Sequence, residues 1–90
     1  MASRRLGILL STAPSHPSVE TVIQLTQAAL RRGVDVYLYL IDEGVKTVVD
    51  QRYLRLIDAG AKMSVCAYGC QQHGVPTVTV DSRVSLSGLV

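Results

Sequence analysis

The feature that most constrains this chain is the alternation of short, dense apolar runs with longer segments of helical period, packed into only 90 residues. Arg5 to Leu10 reads RLGILL and Val34 to Ile41 reads VDVYLYLI, both too short for buried helices and rich enough in aliphatic, β-branched and aromatic residues for buried strands. Between them, Val19, Val22, Ile23, Thr26, Ala29 and Leu30 recur at three- and four-residue intervals and form one helical stripe. Strand, helix, strand is the signature of a parallel sheet, because parallel neighbours need a crossover and a helix is the usual one.

The punctuation agrees. Ser11 to Ser18, STAPSHPS, is loop chemistry, and Ser18 is placed to cap the first helix with Glu20 in its opening turn. Arg31 and Arg32 complement that helix's carboxyl end, and Gly33 suits the left-handed residue beyond it. Asp42, Glu43 and Gly44 end the second strand. Val45, Val48, Val49, Tyr53, Leu56 and Ile57 set out a second helix stopping at Gly60. Lys62 to Cys66 alternates as a short third strand, Ala67 to His73 fits a two-turn helix closed by Gly74, and Pro76 follows. Thr77 to Val80 is expected as a fourth strand, Asp81 to Arg83 as a turn, and Val84 to Val90 as a last apolar edge segment.

One domain over residues 1–90 is expected, since the length suffices for a single core. The fold class that emerges is three-layer α/β, flavodoxin-like, with a mostly parallel sheet of four to five strands. Short connections favour the strand order 2-1-3-4, with a crevice beyond the carboxyl ends of strands 1 and 3.

Composition removes several functions. Apolar residues make up 48% of the chain and charged ones 18%, which excludes intrinsic disorder and predicts that another subunit covers some apolar surface. The net charge is +2, and the basic residues pair only at Arg4-Arg5 and Arg31-Arg32, so no stripe exists to neutralise many phosphates and no direct nucleic-acid partner is expected. No apolar run approaches the roughly 18 residues of a membrane span, and no small-residue cleavage site follows the first ten residues, so a cytoplasmic protein is expected. No G-x-G-x-x-G, G-x-x-x-x-G-K-[ST] or G-x-S-x-G is present, and no cofactor is expected.

The chemistry left is that of two cysteines, which a reducing compartment keeps as thiols. Cys66 falls where the third strand ends and the third helix begins. Amides and the positive dipole end at such a junction lower a thiol pKa from about 8.5 to roughly 3.5–7.5 and make it a nucleophile. The alternative is a small buried hydrophobe. Cys70, one turn on, reads as core packing, with a Cys66–Cys70 disulfide as a weaker alternative, because its C-x-x-x-C spacing is not that of thioredoxin-type sites. His16, in the loop after the first strand, and His73, beside Gly74, are candidate auxiliaries to Cys66. Cys66, Cys70, His73 and His16 also form an alternative zinc-type ligand set.

Three segments carry a resemblance to a known family: ALRRGVDVYLYLIDEGV (Ala29 to Val45), VCAYGCQQHGV (Val65 to Val75) and SLSGL (Ser85 to Leu89). Together they resemble the DsrE/DsrF-like sulfur-relay proteins, including the TusD type, in which a strand ending in Val-Cys precedes a short helix and a glycine eight residues after the cysteine, as Gly74 follows Cys66 here. Gln72-His73 stands where relay subunits often show two arginines. The resemblance implies a flavodoxin-like subunit of a homo- or hetero-oligomer whose Cys66 carries sulfur as a persulfide between donor and acceptor proteins. A non-catalytic assembly module of the same fold is the alternative.

Overall fold

A computed structural model describes residues 4–87. The elements in chain order are β1 (Arg5–Leu10), α1 (Pro17–Arg31), β2 (Asp35–Leu40), a 3-10 helix (Asp42–Val49), α2 (Gln51–Asp58), β3 (Lys62–Cys66), α3 (Ala67–Gln72), a 3-10 turn (Thr77–Thr79) and β4 (Ser85–Ser87). The α/β class with a parallel flavodoxin-like sheet holds: four strands pair in parallel, Leu10 lying beside Leu40, Leu40 beside Val65 and Val65 beside Leu86.

The strand order is β1-β2-β3-β4, not 2-1-3-4. Each βα unit therefore lays its strand beside the previous one, and right-handed crossovers in that order return every helix over the same face. A single core results. Val36, Leu38 and Leu40 of β2, Met63 and Val65 of β3 and Leu10 of β1 meet Val19, Val22 and Ile23 of α1, Val45 and Val48 of the 3-10 helix, Tyr53 and Leu56 of α2, and Cys70 of α3. Burying each such aliphatic side chain contributes about 1.5–3 kcal/mol.

Helices were expected on both faces, and the described residues furnish them on one. The other face carries Gly7 and Leu9 of β1, Tyr37 and Tyr39 of β2, and Lys62 and Ser64 of β3, with Leu9 64% exposed and the Lys62 ammonium 5.3 Å from the Tyr37 ring centre. The apparently continuous apolar run VDVYLYL is in fact an alternation, with Asp35, Tyr37 and Tyr39 on the open face and the aliphatics on the closed one.

Three local expectations change. The cap of α1 is His16 rather than Ser18: its Nδ1 accepts the Ser18 amide, and Pro17 takes the first helical position, where its missing N–H costs nothing. The second helix is split at Asp50, which ends the 3-10 helix with extended backbone and caps α2 by accepting the Arg52 amide. Asp50 cannot do both jobs within one continuous helix. Thr77 to Thr79 forms a 3-10 turn after Pro76, not the fourth strand, which is instead Ser85–Ser87 within the expected edge segment. Gly88, Leu89 and Val90, including the end of the SLSGL segment, lie outside the described residues. The glycine stops hold, with φ of 75° at Gly33, 115° at Gly60 and 69° at Gly74.

Among the described residues one buried side-chain polar atom has no partner. The Thr26 hydroxyl on α1 is fully enclosed and forms no hydrogen bond. Exchanging it for a methyl removes that desolvation penalty at nearly constant volume, so Thr26→Val is expected to raise stability by about 1 kcal/mol in urea unfolding. A loss of stability would show that the hydroxyl is satisfied in solution.

Candidate functional site

The carboxyl end of β3 delivers Cys66 directly into α3, where it is the N-cap residue with extended backbone (φ −72°, ψ 117°). Its Sγ accepts the Gly69 amide at 3.3 Å, the place a serine or aspartate oxygen occupies in an ordinary helix cap. The strand-to-helix position expected for this residue is thus observed. Its setting in the sheet differs from expectation, because β2 separates β1 from β3 and Cys66 follows an interior strand instead of bordering a crevice between strands 1 and 3. It is also covered, with 1% of its surface exposed.

What covers this end of the molecule is the pairing of α3 with the 3-10 helix. A Cβ on Gly69 would come within 2.8 Å of Val45 Cγ1 and 3.4 Å of the Asp42 amide nitrogen, so glycine sets how closely the two helices approach. The contact is clasped at its far end by His73, the C-cap of α3: Nε2 lies 2.8 Å from Asp42 Oδ1, and Nδ1 lies 3.7 Å from Glu43 Oε1. Asp42 holds this position with a left-handed φ of 48°, a conformation aspartate tolerates better than most residues.

The candidate auxiliaries fall in three different places. Cys70 is wholly buried in the core, and burial, followed by the proximity of Cys66, pushes its thiol above the ordinary range. A thiol in that position packs rather than reacts. His16 is spent on the start of α1, bonded to the Ser18 amide and hydroxyl, while Thr12 Oγ1 meets the same hydroxyl at 2.6 Å. His73 is held by carboxylates of the 3-10 helix. Among the described residues neither histidine hydrogen-bonds to either sulfur, and both thiols are free.

The alternative ligand set of Cys66, Cys70, His73 and His16 is not assembled: no three His, Cys, Asp or Glu side chains among the described residues converge on a point where a metal would sit. The reason is that Cys66 caps the helix and turns its sulfur toward the Gly69 amide, while His73 turns outward to Asp42. The partners of His73 and the tight seat of Gly69 escaped the sequence reading. Only the adjacency of two acidic residues after β2 and a mid-helix glycine after β3 hinted at them.

With this geometry in view, the comparisons with known proteins add the fold. The YchN protein of E. coli has a crystal structure matching this one with a TM-score of 0.82 over 98% of this chain and 86% of that one, at 17% sequence identity. The fold is DsrE-like. No family model and no curated protein matches the sequence. No helix among the described residues is long and apolar enough to cross a membrane.

Proposed function

We propose that this DsrE-like chain is a sulfur carrier that holds sulfur as a persulfide on Cys66. The observation that supports the reading is the capping of α3 by Cys66, with the Gly69 N–H donated to Sγ at 3.3 Å at the end of a parallel strand of a DsrE-like sheet. That amide donates to the sulfur for as long as α3 is capped by Cys66.

In the relay, the Cys66 thiolate attacks the outer sulfur of a donor persulfide, the donor's S–S bond breaks, and the donor leaves as a thiolate. Cys66 then carries the S–S anion. An acceptor thiolate attacks the outer sulfur in turn and Cys66 returns to its thiolate, so the cycle needs no oxidant or cofactor. Because Cys66 is covered, transfer requires α3 to move off the sulfur; the short helix, with Tyr68 half exposed, is the mobile part of this reading.

Intact-mass measurement after incubation with a small persulfide donor tests it. A gain of one sulfur is expected in the wild type and in Cys70→Ser, and none in Cys66→Ser. A wild type that gains nothing, or a gain that persists without Cys66, overturns the proposal.

The 1% exposure of Cys66 favours a second reading, a non-catalytic assembly module in which both cysteines pack. Under it, thiol reagents react with neither cysteine until the protein unfolds, whereas the carrier reading requires native-state labelling of Cys66 faster than global unfolding.

A further inference from the structure

Three arginines far apart in sequence, Arg4, Arg5 and Arg32, converge at one edge of the molecule. There β1 and the second half of α1 enclose a groove of about 490 Å³ with Leu6, Leu25 and Ala29 in its lining and Arg4, Arg5 and Arg32 around them. Leu25 is 48% exposed and the arginines are exposed. This is an apolar trough with a cationic rim.

Among the described residues no carboxylate forms an ion pair with the arginines of that rim. Of the seven carboxylate side chains, Glu43 faces Lys46, Glu20 and Asp50 face Arg52, Asp58 and Asp81 face Arg83, and Asp42 faces His73. Asp35 stands beside Arg5 on the neighbouring strand without forming an ion pair. Six cations form no ion pair among the described residues, Arg4, Arg5, Arg31, Arg32, Arg55 and Lys62, and three of them, Arg4, Arg5 and Arg32, gather at this groove. A second copy brings six acids already engaged and only Asp35 besides, one carboxylate against three guanidinium groups. A foreign partner answers all three.

We propose that the groove between β1 and α1 docks an acidic segment of another protein, its aliphatic side chains on Leu6, Leu25 and Ala29 and its carboxylates on the arginines. Guanidinium groups suit the task because they meet carboxylates in a planar, two-pronged geometry. The surface lies at the amino-terminal ends of the strands, opposite the end that carries Cys66. It is therefore a docking surface and not a sulfur-transfer surface, and it does not depend on the persulfide reading.

The test is fluorescence anisotropy of a labelled synthetic peptide of repeated Leu-Glu-Glu-Leu, at low salt, against the full chain. Saturable binding is expected, weakening with added salt and falling about tenfold or more in Arg4→Glu/Arg32→Glu and in Leu25→Glu. All three positions are exposed, so circular dichroism should show each variant folded. Cys66→Ser should bind like the wild type, which separates this result from the fate of the carrier proposal. No saturable binding, binding indifferent to these substitutions, or equal binding of a Leu-Lys-Lys-Leu peptide overturns the proposal. So does preferential capture of phosphatidylserine vesicles over the peptide, which would assign the surface to a membrane.

Discussion

Gly44→Ala is expected to destabilise the protein by roughly 3 kcal/mol or more, at the upper end of what overpacking costs. The 3-10 helix that follows β2 runs so close to the end of β1 that a Cβ on Gly44 would overlap the Leu10 carbonyl oxygen, with the carbonyl carbon at 2.7 Å and the Ser11 amide nitrogen at 3.2 Å. These are backbone atoms, so no rotamer change relieves the overlap. Both segments are also tied down: the Leu10 carbonyl accepts the Ile41 amide at 2.9 Å, and the Gly44 amide donates to the Ile41 carbonyl at 2.8 Å. Relief requires the 3-10 helix to lift from the sheet, which would uncover Val45 and Val48, both buried in the core. Gly7→Ala is the control. It lies in β1 on the open face with nothing within 4 Å of its added methyl, and it is expected to be neutral or stabilising by a few tenths of a kcal/mol. Urea unfolding of the two variants side by side decides the matter; equal midpoints would mean that the close approach at Gly44 is absent in solution.

The second large effect is expected at Tyr53. Its ring is completely buried, and its hydroxyl donates to the Val19 carbonyl at 3.0 Å, tying α2 to the first turn of α1. Tyr53→Ala should cost about 3–5 kcal/mol through the cavity it leaves. Tyr53→Phe keeps the ring and loses only the hydrogen bond, about 1 kcal/mol. The hydroxyl also titrates anomalously: burial first, and the nearby Asp50 carboxylate second, push it up from 10.0 to about 12. Because the folded value lies above the unfolded one, the stability this group contributes is fully present below pH 10. It is lost as the pH climbs from about 10 through about 12. A tyrosinate absorbance titration of the folded protein should therefore show a late phase near 12, and Tyr53→Phe should abolish it. If the folded protein shows no such late phase, the buried hydroxyl bond is refuted.

The paired exposed ions belong to another class. Arg83 holds the Asp81 carboxyl down to about 2 and also pairs with Asp58, but all three side chains are partly in water, and such pairs organise loops more than they stabilise folds.

How much of this was legible in advance differs from element to element. The α1 stripe, β1, β2, β3 and the glycine stops at Gly33, Gly60 and Gly74 follow from periodicity and backbone freedom, which are local properties. Cys66 as the junction of β3 and α3 was legible for the same reason. The break at Asp50 was not, because the apolar spacing of Val45 to Ile57 is compatible with a continuous helix and only the competition between helix and capping carboxylate interrupts it. Thr77 to Val80 has strand-like composition, yet among the described residues it pairs with no strand, and Pro76 starts a turn that Thr79 closes by donating its hydroxyl to the Pro76 carbonyl.

The sequence by itself determined where chain direction changes and which residues prefer water, since both depend on side chains and their immediate neighbours along the backbone. Tertiary structure alone decided that the strands lie in the order 1-2-3-4, that His73 meets Asp42 and not a thiol, and that Arg4, Arg5 and Arg32 share one groove. Each is an encounter between segments distant in sequence, chosen by how whole faces pack, and no pattern of spacing within one segment encodes its partner.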